Sequence, residues 1–176
     1  TIDSTAAGDI DYELFGMTAG PFDKHIYISA KKTDTTDTTD EFMIYCINIQ
    51  VIDSVETAEI VWEQAVSFDD SSTINNLASI TTDGSANVYV SGNKTDNGNQ
   101  QWFVLKYSHH GELLWKKEHE NLSSTQQSIS KCITYSVFDD SVIIAGTFED
   151  TDNTTGNTTL KDGMVSKITQ DFPTLV

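Results

Sequence analysis

The sequence contains no arginine: its basic residues are ten lysines, set against 27 acidic residues in a chain of 176 residues with a formal net charge of −17. Arginine supplies the bidentate hydrogen bonds on which most recognition of phosphate groups and nucleic-acid bases depends. A surface this negative also repels the nucleic-acid backbone instead of releasing its counterions. We therefore exclude a nucleic acid as a partner.

Long apolar runs are missing as well, since none reaches the roughly 18 to 20 residues that cross a bilayer. The chain begins at Thr1, without a charged and apolar leader. We therefore expect a soluble chain with no membrane span, either a processed product or a piece of a longer protein.

Proline and glycine are scarce, with two and ten residues, and this composition argues against disorder. Hydrophobic residues make up 38% of the chain, which is ordinary for a folded protein. The acidic balance is therefore a property of a folded surface. The length allows one domain or several small modules side by side.

Cysteine occurs only twice, as Cys46 and Cys132, and the two residues form no CxxC motif. They are either a disulfide of an oxidising compartment or two small buried hydrophobic residues. We favour the second interpretation.

The common catalytic motifs are absent: the sequence has no GxSxG, HExxH, GxxxxGK or GxGxxG after a strand. Two of its four histidines, His109 and His110, lie in the segment SHHGE, which predicts a hairpin turn with exposed imidazoles in preference to a metal site. We expect a protein that is not an enzyme and that uses no cofactor, with calcium the one ligand to be weighed below.

The sequence contains one eight-residue segment in three similar copies, HIYISAKK at 25–32, NVYVSGNK at 87–94 and SVIIAGTF at 141–148. A Ser/Thr-rich strand and a turn precede each copy, and a polar loop and a second apolar run follow it. A further run ends near Trp62 and again near Trp115. The chain thus divides into repeats 8–68, 69–121 and 122–176, each of four short strands, with the last strand of the third repeat incomplete.

The apolar residues of these strands stand at successive positions, as in HIYIS and FMIYCI, instead of alternating with polar ones. The runs are too short for helices and are rich in Val, Ile, Tyr and Phe. Both faces of the strands must then be covered, and sheets packed face to face on one another achieve this without a helix. The pattern predicts an all-β protein.

The stretch DGSANVYVSGNKTDNGNQQWFVLKYSHHGELLWKKE resembles the blade repeat of bacterial surface-protein propellers (SBBP-type), and it is similar to quinoprotein-type blades that close with a G-LLWK strand. The resemblance implies β-propeller blades, three four-stranded antiparallel repeats that form a partial propeller or part of a larger ring. Repeat 1 departs from it, with Cys46 where the others carry Lys106 and Lys167, and with a longer insert, INIQVIDSVETAEI, between its third and fourth strands. Quinone chemistry of such propellers often uses arginine, so we do not expect it here.

Three blades make an arc, which leaves two sheet faces in water, whereas closed propellers have about four to eight blades. The ring is completed either by continuation of the chain in a longer protein or by assembly of identical subunits. We favour continuation.

Acidic loops are the candidates for metal binding. In repeat 1 the residues are Asp34, Asp37 and Asp40, and in the equivalent loop of repeat 3 they are Asp150 and Asp152. Carboxylates in flexible loops suit calcium, but the spacing does not match a D-x-D-x-D-G loop, and solvated surface is the plainer interpretation.

Four Asn-x-Ser/Thr triplets, at Asn93, Asn121, Asn153 and Asn157, fit the N-glycosylation pattern. Two or three such triplets are expected by chance in a chain this rich in Asn, Ser and Thr. All four lie in polar, loop-like stretches, so we expect them to be reachable where the host glycosylates.

Function is the least determined by the sequence. The favoured hypothesis is a non-catalytic scaffold, secreted or at the cell surface, with glycans or surface proteins among its partners. A second is a lectin-like module, for which Trp102 is the candidate sugar-stacking residue, although packing is the plainer role for tryptophans inside apolar runs. A propeller enzyme is third, and rests on fold resemblance alone.

Overall fold

The structure, a computed structural model, describes residues 10–21, 24–36, 39–52, 55–68, 72–119, 126–152 and 158–169. These residues form eleven β-strands: β1 (Ile10–Ala19), β2 (His25–Asp34), β3 (Thr39–Ile52), β4 (Val55–Ala65), β5 (Thr73–Thr82), β6 (Val88–Asp96), β7 (Asn99–Tyr107), β8 (Leu113–Glu118), β9 (Gln126–Ser136), β10 (Ser141–Asp152) and β11 (Thr158–Thr169). The prediction of an all-β protein is confirmed. Within the described ranges, no helix is long and apolar enough to cross a membrane.

The strands form three antiparallel sheets of consecutive strands. The first sheet has the order β1-β2-β3-β4, the second β5-β6-β7-β8, and the third β11-β10-β9. Four strands are thus present in the first two sheets, and three in the described part of the third. The predicted fourth strand of the third repeat falls beyond residue 169, outside the described residues.

The sheets share two irregularities of strand pairing, the first in all three sheets and the second in the two sheets with a described fourth strand. The first strand of each carries a β-bulge opposite the centre of the second strand, at Phe15, Ala78 and Lys131. The pairing of the third and fourth strands is shifted directly before the repeated tryptophans, so that Cys46 pairs with Trp62 and Lys106 with Trp115. Because bulges bend and twist a strand at a fixed place, equal bulges give the sheets equal shapes.

The second sheet lies between the other two, since β5 contacts both β1 and β9. We call the face that carries Tyr27, Tyr89 and Ile143 the forward face of the first, second and third sheet, and the opposite one the back face. Tyr27 packs with Val88 and Val90 in one core cluster, so the forward face of the first sheet covers the back face of the second. Tyr89 packs with residues of the third sheet in the next cluster, so the same contact is repeated.

Two-sided burial is confirmed for the middle sheet, in which the first seven residues of β6 are all buried. The predicted insert INIQVIDSVETAEI is not a loop: its described residues extend β3 and β4, which pair from Met43 with Ala65 out to Ile52 with Val55. Continuing the two strands satisfies the backbone hydrogen bonds that a long loop would have to leave to water.

Neither Cys46 nor Cys132 forms a disulfide bond. Cys46 is buried between the first two sheets, as expected of a small hydrophobic residue. Cys132 is exposed, so the prediction that both cysteines are buried is wrong for it. Cys132 pairs with Ala145 and shares the forward face of the third sheet with it, and no described sheet packs on that face.

Candidate functional site

The contact between the first and second sheets is closed by a tryptophan. The ring of Trp62 lies 5.9 Å from the ring of Tyr27, and its Nε1 donates a 2.9 Å hydrogen bond to the carbonyl oxygen of His109. Gly111 has a φ of +86°, and a Cβ there would lie 2.8 Å from the Trp62 ring. The turn between β7 and β8 therefore folds over Trp62, and only glycine fits at its closest point.

This turn is the predicted hairpin turn. Ser108 and Glu112 close it with a 2.8 Å backbone hydrogen bond. The side chains of His109 and His110 are exposed, as predicted, and their ring centroids lie 3.7 Å apart. The turn is thus a structural element whose inner side holds Trp62 and whose outer side faces water.

The contact between the second and third sheets is centred on Tyr89. Its ring lies 6.0 Å from Trp115 and stacks at 6.1 Å on Tyr135, and its hydroxyl donates a 2.9 Å hydrogen bond to the buried carboxylate of Asp83. The ammonium of Lys106 lies 3.9 Å from the same carboxylate. Burial lowers the pKa of Lys106, and the attraction of Asp83 opposes this shift.

Trp102, the candidate sugar-stacking residue, lies inside this second contact. It is 5% exposed and belongs to the core cluster between the second and third sheets. One face of its ring stacks on His119 at 5.4 Å, and its indole N–H has no hydrogen-bond partner in the described structure. Sugar binding needs an exposed ring face, so this role for Trp102 stays a prediction that its burial does not favour.

The stack of His119 on Trp102 predicts a pH dependence of stability. Burial lowers the pKa of His119 below its ordinary value of 6.5, so charging the ring costs more in the folded than in the unfolded chain. This penalty is absent above the unfolded pKa, grows as pH falls from the unfolded to the folded pKa, and is complete below the folded pKa. We expect the wild type to lose stability relative to His119→Phe between about pH 7.5 and about pH 5. Urea unfolding of both proteins measures this, and parallel pH profiles would contradict it.

Asn93, one of the predicted glycosylation sites, is 2% exposed. Its amide nitrogen donates to the side-chain oxygen of Asn76 and to the carbonyl oxygen of Ser130, at 2.9 and 3.1 Å. Its amide oxygen accepts a 2.7 Å hydrogen bond from the backbone N–H of Ser130. Asn93 therefore joins the second sheet to the third, and its glycosylation stays a prediction that its burial does not favour. Asn121, Asn153 and Asn157 lie outside the described residues.

The acidic loop of the first repeat is held by its own hairpin. Asp34 accepts a 2.8 Å hydrogen bond from the backbone N–H of Thr36, and Asp40 accepts one of 2.6 Å from the hydroxyl of Thr33. The ammonium of Lys31 lies 3.6 Å from Asp40. These carboxylates are therefore engaged with the strands on either side of the loop.

In the third repeat, Asp150 accepts a 3.3 Å hydrogen bond from Gln126. Asp37 and the side chain of Asp152 lie outside the described part of the structure. Among the residues that are described, no three His, Cys, Asp or Glu side chains come together as a metal site would require. Calcium binding by the two acidic loops stays a prediction.

A buried ion pair, which the sequence did not predict, lies at the outer end of the second sheet. Lys94 is 1% exposed, its ammonium is 2.6 Å from a carboxylate oxygen of Glu118, and it lies 4.5 Å from the ring centre of Phe68. The two charges are far apart in sequence and meet through the pairing of β6, β7 and β8. No spacing rule could have found them, but a lysine that ends a run of apolar strand residues was the available signal.

A cavity of about 500 Å³ lies nearby, where the first sheet meets the start of β5. Its walls include Phe42, Val66, Phe68 and Ile74, and its rim carries Asp40 and Glu41. The lining of the cavity is mixed, because Ser67, Ser72 and Thr73 also belong to it. Asp40 is the residue that the cavity shares with the candidate calcium loop.

Two sheet faces are not covered by any other described sheet. They are the back face of the first sheet, where Met17 is 68% exposed, and the forward face of the third sheet, where Val165 is 74% exposed. The sequence analysis predicted two such faces for an arc of three repeats. No protein-family model and no curated protein sequence matches the chain, so these surfaces are interpreted from their own geometry.

Proposed function

We propose that the chain is a non-catalytic scaffold and interaction module built of β-propeller-type blades, secreted or displayed at the cell surface. One observation carries the proposal: the same contact, forward face on back face, is used between the first and second sheets and again between the second and third. Side chains that a ligand-binding protein would present to solvent, such as Trp102, are used to hold sheets together.

The arrangement of the first strands supports a propeller-type arc. β5 contacts β1 on one side and β9 on the other, so the first strands of the three sheets lie next to one another. Strands near a propeller axis are neighbours in this way, whereas outer strands splay apart. The partners we propose are further blades, from the same longer chain or from identical subunits, with surface proteins or glycans bound at the loops.

The surface chemistry suits display outside a cell. A net charge of −17 favours solubility. The blade repeats that the sequence resembles are those of bacterial surface proteins. We do not propose a cofactor or a catalytic residue.

Labelling of intact cells of the source organism tests this proposal. A membrane-impermeant, amine-reactive biotin reagent should label the protein before lysis, because Lys161 has a side chain that is 66% exposed. A cytosolic protein serves as the control and should be labelled only after lysis. Recovery of the protein solely from the unlabelled cytosol would overturn the proposed location.

A further inference from the structure

The two uncovered sheet faces carry the same positions that are buried where the sheets already meet. On the forward face of the third sheet, Val165 stands where the first and second sheets have Ile44 and Val104. Ile44 and Val104 are both fully buried, whereas Val165 is 74% exposed. Val165 thus occupies a contact position, but no described sheet packs on it as one does on Ile44 and Val104.

The back face of the first sheet has the matching character. Its centre is a small apolar cluster that contains residues of the first sheet alone, and its members Ala30, Met43 and Tyr45 are at most 6% exposed. Beside this buried centre, Leu14 and Met17 are 65% and 68% exposed. The exposed apolar part of the back face is therefore its β1 side, and an exposed apolar patch marks a contact surface.

The side chains on the two faces also differ in volume in a complementary way. On the third sheet, Gly163 takes the position that Phe42 and Trp102 occupy in the other sheets, and a Cβ there would meet no atom within 4 Å. On the first sheet, Tyr45 takes the position of Leu105. A hollow forward face is thus paired, within one chain, with a fuller back face.

The charged residues of the two uncovered faces are also complementary. The forward face of the third sheet carries Lys167 and the ion pair of Lys161 with Glu149, and the back face of the first sheet carries Glu63 and the ion pair of Lys32 with Glu41. In a chain with ten basic and 27 acidic residues, two lysines on one face are a notable share of its positive charge. Opposite charges across a contact favour the correct pairing and oppose the pairing of like faces.

We infer that a second copy of this chain docks head to tail, with the forward face of the third sheet of one copy seated on the back face of the first sheet of the next. The inference rests on the proposed scaffold function and names its partner. The contact continues the one that the sheets already make twice. Because it joins unlike faces, it leaves one free face of each kind, and repetition gives a closed ring or an open stack.

Sedimentation of the full chain with single exposed substitutions tests the inference. The wild type should sediment as an assembly, and Met17→Glu on the back face and Val165→Glu on the forward face should each weaken association at least about tenfold by burying a charge in an apolar contact. Phe138→Glu is the matched control, since Phe138 is 97% exposed and lies in the turn between β9 and β10, outside the strands that form the two faces. It should assemble as the wild type does.

Mixing the two variants separates head-to-tail docking from any other association. Met17→Glu keeps its forward face and Val165→Glu keeps its back face, so an equal mixture should form a dimer and stop there. Leu14→Lys provides a second back-face variant, and circular dichroism checks that each variant folds. An assembled wild type whose variants do not form this dimer on mixing would overturn the inference, and so would a Phe138→Glu variant that dissociates equally.

A wild type that stays monomeric up to roughly 100 µM would also overturn the inference. It would leave the scaffold proposal standing, since blades of a longer chain would then cover the two faces. The cell-labelling experiment fails independently, because a cytosolic location does not depend on the assembly state.

Discussion

Gly146→Ala is expected to destabilise the protein by about 3 kcal/mol, the upper end of the usual cost of overpacking. An added Cβ would overlap the backbone carbonyl oxygen of Ile129 and lie 3.1 Å from the Cα of Ser130. Both atoms belong to the backbone of β9, next to the bulge at Lys131, and no side-chain rotation can relieve the contact. Urea unfolding at neutral pH measures the effect as a lower midpoint with an unchanged slope.

Gly84→Ala is the control for this substitution. Gly84 lies in the turn before β6, and a Cβ there would meet no atom within 4 Å. Its replacement should change the free energy of unfolding by less than about 0.5 kcal/mol, as usual at an exposed position. Equal stability of the two variants would show that β9 moves away from β10 without cost, which would contradict the close approach.

The repeated eight-residue segment identifies Gly146 as a position of interest, but the sequence alone does not explain why a glycine is needed there. The segment places Ala30, Gly92 and Gly146 at equivalent positions, and the strand pairing confirms the equivalence. A Cβ at Gly92 would also lie too close to its first strand, 2.7 Å from the carbonyl oxygen of Asn76. The sequence showed the small residue, but the approach of the first strand depends on a bulge that no periodicity reports.

The all-β class and the repeats were predictable because short apolar runs bounded by polar turns are a strong local signal. Burial of both faces holds for the middle sheet and for the centre of β3, where residues 42–46 are all buried. Three sheets form two contacts, so the end sheets keep one open face each, and Met17 and Val165 are exposed although they stand in apolar runs. The apolar pattern of a strand thus predicts which of its faces can be buried. The number of neighbouring sheets decides which of those faces are buried in the structure.

Individual side chains were less predictable, because their burial depends on which sheet packs over them. Asn93 was predicted as a reachable loop residue, yet it lies in the buried part of β6 and ties the second sheet to β9. Trp102 stands next to it on β7 and faces the same way. Their burial follows from the position of the third sheet, which is a property of the whole chain and not of their neighbours in sequence.

The ion pair of Lys94 and Glu118 carries the second large prediction. Glu118→Ala is expected to cost about 2 to 3 kcal/mol, since it removes the carboxylate from an ammonium that is 1% exposed and lies on the ring of Phe68. A buried charge that loses its counter-ion keeps its desolvation penalty without the attraction that offset it. Urea unfolding at neutral pH measures the loss.

A surface pair of similar length provides the control. Lys161 and Glu149 are 2.8 Å apart, but the side chain of Lys161 is 66% exposed, so water already screens its charge. Glu149→Ala should therefore cost less than about 1 kcal/mol. Equal losses for Glu118→Ala and Glu149→Ala would show that burial adds nothing to the first pair, and would contradict the prediction.

Lys94→Met distinguishes the charge from the packing of the side chain. Methionine keeps an apolar stem against Phe68 and removes the buried ammonium, while Glu118, with a side chain that is 26% exposed, can turn its carboxylate to water. We therefore expect Lys94→Met to be less destabilising than Glu118→Ala, although both remove the same pair. The reverse order would mean that the cost lies in the contacts of the lysine stem and not in a buried charge without its counter-ion.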